Sequence, residues 1–401
     1  MIKITEIHIK GFKETNREIN IIFSKEPITV IYGENGSGKT TFLKIIHAIF
    51  NKNDTYLLEE NVKEVKILYS LDQKKVKLNT IKISGKKVDW GDNIKDLTNE
   101  TSILFGVNRG VIQNFSEVDE KLSIHSNYQT FKWSDYNLLL DLKDKPTKKN
   151  KSLFNENWDA ENHISVDFIG IKQIEDSIIK QFRAGQRATS DKVKNAFFNT
   201  ISNAVDIEME QVNYDLPVDF NERIEKKRNV LISLVEKLDK SGLQKKLLNY
   251  LNKQNPSSEI EGSKIFRVLL INILGKVEEE NVELKSISKL IEIFNSHLYR
   301  NKKLIVTEEE TFIEISKNTT HNLNKLSSGE RHLLTFLTLF LIMGRNRSFF
   351  IIDEPEISLN MVWQRELIPL LSELSPDSQI IVATHSPSIS HKNSNYLVKL
   401  V

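Results

Sequence analysis

Apolar and polar side chains alternate over residues 2–10, the period-two pattern of a half-buried strand. Residues 19–23 and 28–32 read as two more strands, and the second is nearly all apolar, which predicts a central place in a sheet. A glycine-rich turn follows at once, and residues 41–50 then carry apolar side chains at helical spacing. Period two returns over 65–83, with a turn near Asp72 to Lys75 that predicts a hairpin, and 102–105 forms another short strand. Residues 116–161 are polar and irregular, include the basic run 145–151, and read as a long surface excursion.

Beyond that excursion the period is helical. Helices are predicted over 164–183, 191–209, 219–238, 265–274 and 282–298; the fourth is apolar on nearly all sides and therefore buried. Strands resume at 303–306 and 311–315. The tail then alternates helix 330–343, strand 349–353, helix 361–374, strand 379–384 and strand 396–401. This pattern predicts an α/β fold whose mixed sheet, flanked by helices, is assembled from both ends of the chain. The expected boundaries are an N-terminal lobe over 1–112, a largely helical insert over 113–301 and a C-terminal lobe over 302–401.

The strand–turn–helix unit near the N-terminus carries the first candidate chemistry. Gly33-Glu34-Asn35-Gly36-Ser37-Gly38-Lys39-Thr40 matches G-x-x-x-x-G-K-[ST], the P-loop. Glycines there let successive backbone N–H groups turn inward on phosphate oxygens at a helix N-terminus. Lys39 would reach the β- and γ-phosphates, Thr40 would ligate Mg²⁺ and Thr41 would follow on the same first turn. These residues imply ATP and Mg²⁺ as ligands.

In the second lobe, an apolar strand ends in Asp353-Glu354. Asp353 at the strand tip suits Mg²⁺, as a Walker B aspartate does, and Glu354 suits a general base for the attacking water. Leu326-Ser327-Ser328-Gly329-Glu330 opens the helix before this strand. A serine and glycine at a helix N-terminus offer a hydroxyl, N–H groups and a positive dipole end to a γ-phosphate, although serine followed by glutamate is equally a capping box. His385, in Thr384-His385-Ser386-Pro387, ends the next strand, and Gln113 is a candidate Mg²⁺-sensing glutamine.

Composition narrows the class. The 401 residues are 39% hydrophobic and 27% charged, as in an ordinary globular protein. A net charge of only +2 gives no general argument for nucleic acid. The absence of cysteine excludes disulfides, thiolate zinc sites and a cysteine nucleophile. The N-terminus lacks a signal-peptide layout, and the longest apolar run, near Phe336, is too short to cross a bilayer. A soluble, cytoplasmic protein is expected, with no membrane partner.

Leu326-Ser327-Ser328-Gly329-Glu330 resembles the ATP-binding-cassette signature in its recombination-and-repair form. Both lobes look like single-chain ATPases related to the SMC, RecF and OLD proteins, and Ser358-Leu359-Asn360 stands at the place of their D-loop. This resemblance implies a P-loop head of the ABC type, in which the signature of one subunit faces the P-loop of another and His385 contacts the γ-phosphate. It implies a homo-oligomer, at least a dimer through head-to-head ATP sites. The run from Ile352 to Gln364, with Thr384-His385-Ser386-Pro387, is similar to bacterial antiphage-defence ATPases encoded beside an effector gene, first those of PARIS and second those of Septu. No D-x-D nuclease cluster or H-N-H motif is visible, so the effector, expected to be a nuclease, would be a separate polypeptide, and a phage protein a candidate trigger. The alternative is a RecF- or SMC-like repair ATPase that binds DNA directly. A transporter motor is remote, because the stretch between Lys39 and Ser327 is too long for a compact transporter head.

Overall fold

Alternation at the N-terminus builds the first layer. β1 (Ile2–Phe12) pairs antiparallel with β2 (Glu14–Ile22) and β4 (Glu64–Leu71), and β5 (Lys75–Ser84) and β6 (Lys87–Asp89) extend the sheet in the order β2-β1-β4-β5-β6. Ile7, Ile9, Ile21, Val65, Ile67 and Tyr69 are buried on one face. The second layer is a six-stranded sheet in which every adjacent pair of strands is parallel. It comprises β3 (Ile28–Tyr32), β7 (Ser102–Phe105), β8 (His163–Val166), β12 (Phe349–Asp353), β13 (Gln379–Thr384) and β14 (Leu397–Lys399), ordered β14-β3-β13-β12-β7-β8. The predicted mixed sheet is thus realised as one antiparallel and one parallel layer.

The computed structural model describes residues 2–71, 75–106, 162–166, 169–203, 217–238, 240–252, 264–279, 281–299, 301–316, 319–357, 359–390 and 393–400. The chain divides into two compact units, the first of Met1–Ser177, Phe294–Leu304 and Phe312–Val401, the second of Ile178–Ile293 and Ile305–Thr311. Both sheets belong to the first.

Helix α1 (Lys39–Phe50) lies between the layers. Phe42, Leu43, Ile45, Ile46, Ile49 and Phe50 join one core with Ile7 and Ile67 of the antiparallel sheet and Phe349, Ile351 and Ile381 of the parallel one. Burial of each such side chain is worth about 1.5–3 kcal/mol, so this helix, and with it the phosphate loop at its start, is firmly seated. On the other side of β12, Phe350 stacks on Phe340 at 4.0 Å. Side chains on both faces of a central parallel strand are buried, which explains why β12 and β13 read as continuous apolar runs.

The second unit has its own core. Val193, Phe197, Phe220, Ile224, Leu231, Leu247, Tyr250, Leu269 and Ile273 meet there. They come from α2 (Ile171–Ser202), α3 (Phe220–Glu236), α4 (Gly242–Asn252) and α5 (Lys264–Glu278). Helix α6 (Val282–His297) follows, then β9 (Lys303–Val306), β10 (Thr311–Ser316) and β11 (Thr319–Asn322). Two expectations are corrected. Residues 163–166 are a parallel strand beside β7, not the start of a helix, and α2 is one continuous helix of 32 residues where two were predicted. Helix α4 was not predicted. Among the described residues no helix is long and apolar enough to cross a membrane.

Candidate functional site

The carboxyl ends of three adjacent parallel strands build the site. Register pairs Tyr32 of β3 with Thr384 of β13, and Asp353 of β12 with Ala383 of β13. Neighbouring strands lie about 4.8 Å apart, so the loop after β3, the turn after β13 and the two acids ending β12 share one edge.

The phosphate loop needs its glycines for distinct reasons. Gly36 (φ 79°) and Gly38 (φ 100°) both lie in the left-handed region. A Cβ on Gly36 would meet nothing within 4 Å, so that exposed position has open space around it, whereas one on Gly38 would lie 2.5 Å from Phe12 Cε1. Gly38 is also the N-cap of α1 and supplies no side-chain cap, which leaves the first N–H groups of the helix available to an anion. Glu34 and Asn35 are exposed on the rim. Ser37 Oγ is buried with no hydrogen-bond partner among the described residues. Arg17 donates from Nη2 to the Ser37 carbonyl (2.8 Å), and its guanidinium lies 5.1 Å from the centre of the Phe12 ring.

Lys39 is 4% exposed and reaches from the loop after β3 to the turn after β13. Its Nζ donates to the carbonyls of Gly33 (3.0 Å) and Glu34 (3.2 Å) and lies 3.3 Å from His385 Nδ1. Burial pulls its pKa below the ordinary lysine value, against the attraction of Glu354, Asp353 and Glu356. His385 Nε2 is 2.6 Å from Glu354 Oε1. An ammonium can only donate, so Nδ1 is the acceptor and Nε2–H the donor to Glu354. Lys39, His385 and Glu354 therefore form one chain of polar contacts, with Asp353 buried beside it at the tip of β12. The sequence separates Lys39 from Asp353, Glu354 and His385 by more than 300 residues, and the parallel register reunites them.

Glu354 has a left-handed backbone (φ 47°), which costs a non-glycine residue about 1–2 kcal/mol. Its N–H donates to the Ala383 carbonyl (2.8 Å), which holds the turn against that strain. Strained acids of this kind concentrate where a carboxylate must be aimed. Sequence reasoning missed Glu356, a buried acid whose Oε1 accepts from Thr384 Oγ1, from the His385 N–H (3.0 Å) and from the Ser386 N–H (3.3 Å). Arg17 was missed too, because nothing local marks a β2 side chain as a neighbour of the loop.

The Ser327–Glu330 group is organised by different partners. Ser327 caps α7 (Ser328–Thr338) in a full capping box: Ser327 Oγ accepts from the Glu330 N–H (3.3 Å) and Glu330 Oε2 from the Ser327 N–H (2.9 Å). Lys302 donates to Glu330 Oε1 at 3.0 Å. Burial works to raise the Glu330 carboxyl, but the Ser327 N–H and Lys302 outweigh it and hold the pKa below the usual range. Ser328 and Gly329 form the first turn behind the cap. Gln113 and Ser358 lie outside the described residues, as does the basic run 145–151. Asn360 caps α8 (Met361–Leu374) through Val362 and Trp363.

The residues present fit a nucleotide with Mg²⁺. The left-handed glycines, the uncapped helix start and the unpartnered Ser37 hydroxyl suit phosphate oxygens. Among the described residues no cluster of three or more His, Asp or Glu side chains forms a self-sufficient metal site, so an ion held by Thr40 and Asp353 would take its other ligands from phosphate and water.

The chain belongs to the protein family described as "AAA domain, putative AbiEii toxin, Type IV TA system", whose model matches residues 28–390. It is an ATPase of the AAA type by that membership. No curated protein matches it. Among solved structures it is similar to the Smc head domain with an extended coiled coil from Pyrococcus furiosus, bound there to the C-terminal domain of ScpA. Identity is 15%, covering 100% of this chain and 93% of that one, with a TM-score of 0.42. The Smc head domain with a coiled coil and joint from Pyrococcus yayanosii gives 14%, 100%, 95% and 0.42. The SMC head domain from Thermotoga maritima gives 14%, 99%, 94% and 0.38.

Proposed function

We propose that this AAA-family protein binds ATP with Mg²⁺ and hydrolyses it to ADP and phosphate, and that it serves as the sensor and scaffold subunit of an antiphage defence system. The contact chain Lys39–His385–Glu354 carries the enzymatic part. A γ-phosphate at the loop takes hydrogen bonds from Lys39 and His385. Glu354, released from His385, then accepts a proton from the water that attacks the γ-phosphorus as the bond to the β,γ-bridging oxygen breaks. Bound Mg²⁺ supplies charge to the phosphate oxygens, with Thr40 and Asp353 as its protein ligands.

Ser327, Ser328, Gly329 and Glu330 would meet the nucleotide of a second copy, so that ATP orders a head-to-head homo-oligomer. Loss of the γ-phosphate then removes contacts from both subunits, which makes hydrolysis a switch. The defence assignment is supported by the run from Asp353 to Asn360 and by a family description that couples an AAA domain to a toxin and a toxin–antitoxin system. Here the effector is a separate protein, with a nuclease as the expected class and a phage protein as a candidate trigger.

The test uses two variants. Lys39→Ala should abolish binding of a fluorescent ATP analogue. Glu354→Gln should keep binding but lower hydrolysis by roughly 10²–10⁴-fold. Hydrolysis at the wild-type rate by Glu354→Gln would remove Glu354 from the role of base.

One observation favours the alternative, a repair-type ATPase that binds DNA directly. Lys180, Arg183 and Arg187 are exposed on α2 at spacings of three and four residues, and Arg183, Arg187 and Lys237 line a polar cleft with Glu308 and Glu309. Hydrolysis stimulated by duplex DNA, lost in Arg183→Glu/Arg187→Glu, would select that reading.

A further inference from the structure

Glu356 lies on the same turn as Glu354, yet its side chain serves the neighbouring strand. One oxygen, Oε1, accepts from Thr384 Oγ1 and from the successive N–H groups of His385 and Ser386. The Ser386 N–H also donates to Thr384 Oγ1 at 2.8 Å, so the whole Thr384–Ser386 turn is wrapped on this carboxylate. From the other side, Gln364 of α8 donates to the Glu356 and Leu359 carbonyls (3.3 and 2.9 Å) and anchors the acid's own backbone.

Glu356 is 8% exposed, and its Oε2 is buried with no hydrogen-bond partner among the described residues. A side chain serving only to fill space would avoid that desolvation, since an apolar residue fills volume without it. The gain is specific. Bonds from N–H groups to an ionised carboxylate are roughly twice as strong as neutral ones, and these fix the backbone of His385 while leaving its ring to reach Lys39 and Glu354.

We infer that Glu356 is a positioning residue: it locks the turn bearing His385 to the turn bearing Glu354, so that contact with the γ-phosphate and orientation of the attacking water are set as one rigid unit. This rests on the reading of His385 and Glu354 as the hydrolytic pair. It places Glu356 behind the reacting groups and touching none of them.

The test compares wild type, His385→Ala, Glu356→Ala, Glu356→Gln, Thr384→Val and the double variant His385→Ala/Glu356→Ala. ATP turnover is measured together with binding of fluorescent ADP and a non-hydrolysable ATP analogue. Glu356→Ala should lower kcat by about tenfold or more and weaken the ATP analogue relative to ADP, with ADP affinity preserved. Glu356→Gln, which keeps an acceptor oxygen for the same donors, should recover most of the loss. Thr384→Val should show the same preference change in milder form. The double variant should be no worse than His385→Ala within about twofold, because both changes act through one histidine. Multiplying losses in the double variant, or equal loss of ADP and ATP binding in both Glu356→Ala and Thr384→Val, would overturn the inference. So would an unaffected Glu356→Ala beside an impaired His385→Ala. Full activity in His385→Ala and Glu354→Gln would instead sink the underlying reading, and the inference with it.

Discussion

Acidification should loosen the helix that carries the phosphate loop, and the size of the effect follows from one histidine. His47 sits near the end of α1 and is 1% exposed. Its Nε2 lies 3.1 Å from Asn51 Nδ2 and its Nδ1 3.5 Å from Ser102 Oγ, which lies 3.0 Å from His163 Nδ1; His163 Nε2 in turn lies 3.2 Å from the Thr98 carbonyl. Because Asn51 Nδ2 can only donate, His47 must be neutral here; the relay then runs from Asn51 to His47, from His47 to Ser102, from Ser102 to His163 and from His163 to Thr98. Burial, with the charge of His163 second, pushes the His47 pKa from 6.5 down to about 3. Burial lowers that of His163 as well. A histidine lowered in the folded state leaves the unfolded chain binding more protons below pH 6.5, so stability falls as pH falls, by about 1.4 kcal/mol per unit until pH nears 3. Between pH 7 and pH 5, His47 alone should cost about 2 kcal/mol. That figure barely depends on the folded value, because pH 5 lies well above it. Urea midpoints at pH 7, 6 and 5, for wild type and His47→Gln, provide the assay, with ATP-analogue binding as a readout of the loop. The variant loses some stability at every pH, but its deficit should shrink by about 2 kcal/mol at pH 5. A deficit equal at both ends would show that His47 is not held neutral at this contact.

The loop glycines give a second expectation. Gly36→Ala meets only backbone strain, roughly 1–2 kcal/mol, whereas Gly38→Ala must also displace the Phe12 ring; Phe12→Ala should therefore improve ATP binding in Gly38→Ala and not in Gly36→Ala. Arg17→Ala should raise the KM for ATP several-fold with a smaller change in kcat, since Arg17 contacts the Ser37 carbonyl and no reacting group; an unchanged KM would remove it from the loop's support. Mixing Lys39→Ala with Ser327→Arg subunits should restore part of the hydrolysis each lacks alone if sites are shared between copies, and no recovery would mean self-contained sites.

How much of this is legible in the chain depends on the range of the interaction. The phosphate loop, the acids ending β12 and the cap of α7 are local, set by glycine chemistry, strand period and a serine three residues before a glutamate, and each stands where the sequence puts it. The strand at 163–166 failed because four residues of alternation are swamped by the helical period after them. Helix α2 was divided because Gly185 and the polar residues up to Asp191 look like a break. In the fold, a Cβ on Gly185 would lie 2.7 Å from Leu284 Cγ, so the glycine admits a neighbouring helix and ends nothing. Helix α4 was discoverable, since Leu243, Leu247 and Leu251 recur at four-residue spacing. Glu356 was not. Its partners are a hydroxyl and two backbone N–H groups 28 to 30 positions away, and no local pattern distinguishes such an acid from a solvated one.

The cap of α7 brings the two readings of Ser327 together. Capping uses an acceptor lone pair of Oγ, whereas a γ-phosphate needs its O–H as donor, so one hydroxyl can serve both. The difficulty is Glu330, whose carboxylate lies 2.9 Å from the Ser327 nitrogen, close to where a second copy would deliver its negatively charged triphosphate. Lys302 answers part of that charge from 3.0 Å. Its side chain is one-third exposed, so solvent screens the pair and the contribution is about 1 kcal/mol or less. Lys302→Met should leave ATP binding to a single copy intact while weakening ATP-dependent self-association by up to about fivefold, an effect Glu330→Gln should offset by removing the charge. Sedimentation with and without a non-hydrolysable ATP analogue separates the two quantities. Equal association in wild type and Lys302→Met would mean that Glu330 faces no phosphate, and Ser327 would then be left with its capping role alone.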